Sequence, residues 1–284
     1  MSIVEKTLGK LRSDRVRESV VSARAQLRPG PVKGPPHART LSIQAAEDDA
    51  VRAFWEGRVE QAVVSHMRGL RRELLAQLQP ALDSGIAPLV LVTSALPGDG
   101  KTFVSTAIAR TFSKAPDLSV VLVDLDLVRR SCSKLFGAAD LPGLVDCARG
   151  ANDMEDVICA TEVPRLTMVP AGIGAGEQRE AFVGDGLISQ LERLRQAGPG
   201  TINILDAPPV LPVVETSLLA TKVDLVLLVV RAGTTPQAAV LESLARLGPD
   251  AKVCIALNSV VHSHTGEYYD YSNYGSNVPR SAGQ

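Results

Sequence analysis

The chain has 284 residues, 45% of them hydrophobic and 21% charged, enough for one sizeable α/β domain with appendages or for two small domains. Its 30 lysines and arginines against 31 acids leave a formal net charge of −1, so nothing global favours nucleic acid and none is expected as a partner. Cys132, Cys147, Cys159 and Cys254 are scattered without a C-x-x-C pair, which argues against a zinc site or disulfide framework and fits a reducing cytosol.

In chain order, residues 1–27 place Ile3, Val4, Leu8, Leu11, Val16 and Val20 at loosely helical spacing among Lys6, Lys10, Arg12, Arg15, Arg17 and Arg24. This reads as a basic amphipathic arm, either solvated or docked on a partner helix or membrane surface. "RPGPVKGPPHAR" follows as an extended Pro/Gly linker, so that 1–45 stands apart from the domain at 46–261. From Glu47 to about Gln79, Phe54, Val59, Val63, Met67, Leu70, Leu74 and Leu78 fall near one face of a single long helix, which Pro80 helps to end.

From Pro88 onward short β-rich runs alternate with helical stretches: "PLVLVTS", helix 101–115, "LSVVLVD", short helices, "RLTMVPAG", helix 180–197, "TINILDAPP", "VDLVLLVVRAG", helix 236–247 and "AKVCIALNS". Apolar strands without alternation are buried on both faces, as in a parallel sheet covered by helices. The expected fold is a doubly wound α/β domain whose ligand lies beyond the C-terminal strand ends. Periodicity stops after Ser259, and 262–284 reads as a flexible polar tail. No apolar run reaches the roughly 20 residues that span a bilayer, and the N-terminus has no signal-peptide core, so a cytoplasmic protein with borrowed membrane contact is expected.

"PLVLVTSALPGDGKT" is a strand, a glycine-containing loop and a helix start, the context that makes a phosphate-binding loop credible. Gly98 and Gly100 let successive backbone N–H groups face phosphate oxygens, Lys101 supplies a point charge, and Thr102 offers a hydroxyl to Mg²⁺. The stretch Gly98, Asp99, Gly100, Lys101, Thr102 and Phe103 is thus the expected nucleotide cradle, with ATP and Mg²⁺ as cofactors. Ala95 replaces the first glycine of the general pattern. Asp124 and Asp126 end one buried run, at i, i+2 and facing the same way, and Asp206 ends another. Phosphoryl transfer needs a carboxylate to hold Mg²⁺ and another to accept the proton of the attacking hydroxyl. Asp206 and Asp124 are the metal candidates, and Asp126 leads as base, with Asp124 able to exchange roles with it.

These motifs resemble those of bacterial tyrosine kinases, a P-loop family unrelated to eukaryotic kinases. "TSALPGDGKT" resembles the family's first motif with Asp99 in place of Glu. "LVDLDLVRR" resembles its second with Val128 at the usual Arg position, and "ILDAPPVL" its third with Ala207 in place of Thr. The opening "MSIVEKTLGKLR" is similar to that of cytosolic members associated with exosortase-type exopolysaccharide loci. The resemblance implies autophosphorylation, a membrane polysaccharide co-polymerase as activator, self-association, and a possible cognate tyrosine phosphatase. Members form rings through an E-x-x-R-x-x-R helix, of which this chain keeps Arg68 and Arg71 but has Ser65 for Glu.

Tyr268, Tyr269, Tyr271 and Tyr274 are all the tyrosines of the chain, and they sit in the tail. The family phosphorylates such a cluster on itself, and its ring-forming habit favours transfer between neighbouring subunits. Two rivals remain: a non-catalytic nucleotide-binding scaffold, and a spatial-organising ATPase of the ParA/MinD type. The second expects a lysine where Leu96 stands.

Overall fold

In the computed structural model, which describes residues 40–43, 49–173 and 185–260, the apolar runs form one seven-stranded sheet. Its strands are β1 (Leu89–Ser94), β2 (Ser119–Asp124), β3 (Cys159–Ala160), β4 (Leu166–Val169), β5 (Thr201–Asp206), β6 (Leu225–Arg231) and β7 (Val253–Asn258), in the order β3-β4-β2-β5-β1-β6-β7. All neighbours pair in parallel except β3, which closes one edge antiparallel to β4. A bridge from Leu41 to Thr161 ties the incoming chain to that edge. The tyrosine cluster, the basic arm and most of the linker lie outside the described residues.

Nine helices among the described residues cover the sheet: α1 (Asp49–Trp55), α2 (Gln61–Asp83), α3 (Lys101–Ser113), α4 (Ser131–Leu135), α5 (Leu144–Ala148), α6 (Met154–Val157), α7 (Asp185–Arg195), α8 (Glu215–Ala220) and α9 (Gln237–Leu247). Side chains alternate across each strand, so both faces need cover. Val90, Val92, Val120, Leu122, Ile202 and Ile204 pack with α1–α4 through Phe54, Leu74, Leu78, Ile108, Phe112 and Leu135. Leu89, Leu91, Val121, Val123, Leu205 and Val226 pack with α5–α8 through Leu144, Met154, Leu187, Leu191 and Leu219. Each such side chain taken fully out of water contributes about 1.5–3 kcal/mol. Two apolar faces explain why the strands lack a polar alternation. The doubly wound, mostly parallel sheet agrees with the sequence expectation.

Three details differ from it. The long helix is two, because Gly57 takes a left-handed φ of 76° after α1 and α2 restarts at Gln61. The break lets α1 tuck Phe54 and Trp55 against α3, where the Arg110 guanidinium lies 5.7 Å from each ring, while α2 lays Leu74 and Leu78 on the same core. One straight helix could not serve both contacts. Pro80 does not end α2, which runs on to Asp83. The ring removes a single N–H donor near the helix end, and Leu78 and Leu82 on either side are held by the core. Finally, β7 is an edge strand with Ile255 50% and Leu257 65% exposed, so the rule of two buried faces stops there. No helix of the described residues is long and apolar enough to cross a membrane.

Candidate nucleotide and phosphoryl-transfer site

The C-terminal ends of β1, β2, β5, β6 and β7 converge on the loop between β1 and α3. Gly98 and Gly100 both sit in the left-handed region, at φ 92° and 93°, which a side chain rarely adopts. Gly100 also has no room: a Cβ there would lie 2.0 Å from Asn258 Nδ2. Asn258, the last residue of β7, uses that nitrogen to donate to the Asp99 carbonyl at 3.0 Å. Arg231 Nη1 donates to the Gly98 carbonyl at 3.4 Å. The Asp99 carboxylate accepts from Leu96 N–H at 3.1 Å and from the Thr235 hydroxyl at 2.7 Å. The Asp99 side chain, expected at the ligand, is therefore spent on bracing the loop. Phe103 meets Phe54 edge to face at 6.0 Å, so its ring belongs to the core and only its backbone can serve the cradle.

Lys101 opens α3 with its ammonium buried between two strand-end acids, 2.9 Å from Asp126 Oδ2 and 4.0 Å from Asp206 Oδ1. The Thr102 hydroxyl donates to Asp206 Oδ2 at 2.8 Å. Sequence reasoning missed two further groups on Asp206: the Ser105 hydroxyl, 2.9 Å from Oδ1, and the Cys132 thiol, 3.3 Å from Oδ2. Ser105 lies one helical turn after Lys101, so its spacing was readable; nothing in the sequence pointed to Cys132.

Asp124 and Asp126 do not act as a same-facing pair. The chain leaves β2 after Asp124, so strand alternation no longer governs Asp126. Asp126 turns to Lys101 and caps Arg129 N–H at 3.0 Å. Asp124 instead accepts from both the backbone N–H and the hydroxyl of Ser133, each at 2.7 Å, and from Asp126 N–H at 3.2 Å. The Ser133 oxygen in turn accepts from Ala171 N–H at 2.9 Å, linking Asp124 to the end of β4.

The electrostatics follow from burial. Loss of water would push the Lys101 ammonium down, but attraction from Asp206 and then Asp126 outweighs it and holds the lysine above its ordinary value. Burial, reinforced by the Asp206 charge, raises Asp124 to about 7 against the opposing hydrogen bonds from Ser133. Burial and the adjacent acids push the Cys132 thiol well above its usual range. The buried carboxylates of Asp126 and Asp206 thus share one ammonium, an arrangement that a divalent cation would balance. Among the described residues no cluster of three or more acids, histidines or cysteines is set to hold an ion directly. Mg²⁺ takes one or two protein groups and completes its shell with water and phosphate oxygens. Thr102 and Asp206 are the groups placed to hold it.

Elsewhere, Arg71 Nη1 donates to the Thr111 carbonyl at the end of α3, so this arginine of the ring-type motif already has a partner within its own chain. Ser65 and Arg68 are exposed on α2.

No protein-family model matches the chain. It is 31% identical over 160 residues to EpsB of Ralstonia solanacearum, which covers 56% of this chain and 21% of that protein. It is 29% identical over 190 residues to the tyrosine-protein kinase CpsD of Streptococcus agalactiae, covering 66% of this chain and 81% of CpsD. The chain therefore spans about a fifth of EpsB but about four fifths of CpsD. The crystal structure of the VpsO kinase domain superposes with a TM-score of 0.63 at 26% identity, covering 74% of this chain and all of that domain. With the glycine loop, the lysine between Asp126 and Asp206 and these relatives taken together, the chain is similar in sequence and fold to bacterial tyrosine kinases.

Proposed function

We propose that the chain is an ATP-dependent protein-tyrosine autokinase that phosphorylates Tyr268, Tyr269, Tyr271 and Tyr274. We further propose that it regulates exopolysaccharide assembly with a membrane polysaccharide co-polymerase as activator. One observation carries the reading: Lys101 is buried between Asp126 and Asp206 at the mouth of a glycine loop, in a chain whose only tyrosines stand in its tail.

The residues divide the work as follows. Backbone N–H groups of Gly98 to Thr102 and the N-terminus of α3 cradle phosphate oxygens. Lys101 holds the transferring group, and in turning to it leaves Asp126. That carboxylate is then free to accept the proton of a tyrosine hydroxyl, as a positioned base must. Thr102 and Asp206 would hold Mg²⁺, which would supply positive charge beside the phosphoryl oxygens. Asp124, anchored by Ser133, supports the metal from behind.

Incubation of the purified chain with ATP and Mg²⁺, read by intact mass, is expected to add up to four phosphates, all on tyrosine. Lys101→Met is expected to abolish the additions. A wild-type chain that binds nucleotide yet gains no phosphotyrosine, with or without its membrane partner, would leave only a nucleotide-responsive scaffold.

A further inference from the structure

Two acids stand side by side on the sheet. Asp124 and Asp206 are register partners on β2 and β5, about 4.8 Å apart at the usual strand spacing. They continue the rows Val120, Leu122 and Ile202, Ile204, so both carboxylates point to the face that α3 and α4 cover. Like charges directly opposite one another repel, and both residues are fully buried.

The phosphate-loop helix serves them unequally. Asp206 accepts from the Thr102 and Ser105 hydroxyls and lies 4.0 Å from the Lys101 ammonium. The hydrogen bonds to Asp124 come instead from Ser133 and from Asp126 N–H.

One short helix touches both acids. Cys132 and Ser133 are consecutive in α4: the thiol donates to Asp206 Oδ2 at 3.3 Å, while the Ser133 hydroxyl and N–H both donate to Asp124 Oδ2 at 2.7 Å. The direction of that hydroxyl is fixed. Its oxygen accepts from Ala171 N–H at 2.9 Å, so its single proton is left for Asp124. Asp124 Oδ1, with one longer bond from Asp126 N–H at 3.2 Å, stays the less occupied oxygen. The helix is itself held in place. Arg130, which precedes it at a left-handed φ of 52°, gives its N–H to the Asp126 carbonyl at 2.7 Å and its Nη1 to the Ala139 carbonyl at 3.1 Å. Cys132 and Ser133 are 0% and 1% exposed, which removes them from any surface role. Packing alone would call for apolar groups here, as at Leu135 and Phe136; α4 presents two donors to two acids instead.

We propose that Cys132 and Ser133 are positioning residues: α4 spans β2 and β5 and fixes the separation and orientation of Asp206 and Asp124 for the metal. This deepens the assignment of Mg²⁺ to Thr102 and Asp206 and rests on it. Groups that orient metal-binding carboxylates in this way are typically worth about 10–100-fold in metal affinity.

The test is the binding of N-methylanthraniloyl-labelled ATP to the full chain, followed by fluorescence in EDTA and over a series of Mg²⁺ concentrations. Ser133→Ala removes the hydroxyl and keeps the backbone bond. It is expected to raise the Mg²⁺ concentration at half-effect about tenfold, with affinity in EDTA within about twofold of wild type. Cys132→Ala is expected to move that midpoint in the same direction by about threefold, since a thiol is the weaker donor. A merely structural role would lower the melting temperature and leave the Mg²⁺ midpoint in place. A midpoint that either folded variant leaves unchanged, or a loss of affinity as large in EDTA as in Mg²⁺, overturns the proposal. Ser133→Ala strands the Ala171 N–H; Cys132→Ala strands no donor and decides the matter if Ser133→Ala does not fold. Wild-type binding that is equal with and without Mg²⁺ refutes the metal assignment itself, and no binding at all refutes the nucleotide reading of the loop; this inference falls with either.

Discussion

Gly100→Ala separates backbone strain from the clamp that β7 places on the phosphate loop. At φ 93° and ψ 24°, an alanine costs about 1–2 kcal/mol in left-handed strain alone. Its Cβ would also arrive 2.0 Å from Asn258 Nδ2 and force that amide off the Asp99 carbonyl, a loss of about 1 kcal/mol. Gly98→Ala is the built-in control: φ is 92° and nothing lies within 4 Å of a Cβ, so it carries strain without the clash. In urea unfolding, Gly100→Ala is expected to lose about 2–3 kcal/mol and Gly98→Ala about 1–2. Melting should drop by about 2–4 °C for each kcal/mol. Asn258→Ala in the Gly100→Ala background should recover part of the loss, a coupling that a double-mutant cycle reads directly. If Gly100→Ala unfolds no more easily than Gly98→Ala, and Asn258→Ala adds its full cost on top, the clamp does not hold the loop.

Other expectations follow from the buried charges. Lys101→Met leaves the buried Asp126 and Asp206 without their ammonium and should destabilise the nucleotide-free protein by roughly 3–5 kcal/mol; unchanged melting would contradict the pairing. Asp124, raised from 3.8 to about 7, is held as the acid more firmly in the folded chain than in the unfolded one. Its contribution is therefore fully present below about pH 4 and lost as pH rises through 7, a change of at most about 4 kcal/mol. Without nucleotide or Mg²⁺, Asp124→Asn should accordingly gain stability relative to wild type as pH rises from 5 to 8. A pH-independent difference would refute the shift. Iodoacetamide should label half-buried Cys254 well before Cys132, whose thiol is buried against Asp206; equal rates by peptide mass mapping would mean that the site opens.

The phosphate loop, the strand-end acids and the layered fold could all be read from the chain itself, because each depends on short-range pattern. A buried parallel strand must be apolar on both faces, a phosphate cradle needs glycines before Lys101 and Thr102, and Asp206 follows its apolar run directly. Partner choice was not legible in this way. Asp124 and Asp126 stand two apart, yet one bonds to Ser133 and the other to Lys101, since the strand ends between them. Asp99 reads as a ligand neighbour but is taken up by Thr235, 136 residues away. Cys132 meets Asp206, and Asn258 meets Gly100, only because strand order sets β2 beside β5 and carries β7 to the loop's flank. The break at Gly57 belongs with these, since what it serves, the docking of Phe54 and Trp55 in the core beside α3, is a long-range contact. Local chemistry selects which residues can bind a phosphate; packing of distant elements decides which of them are left free to do so.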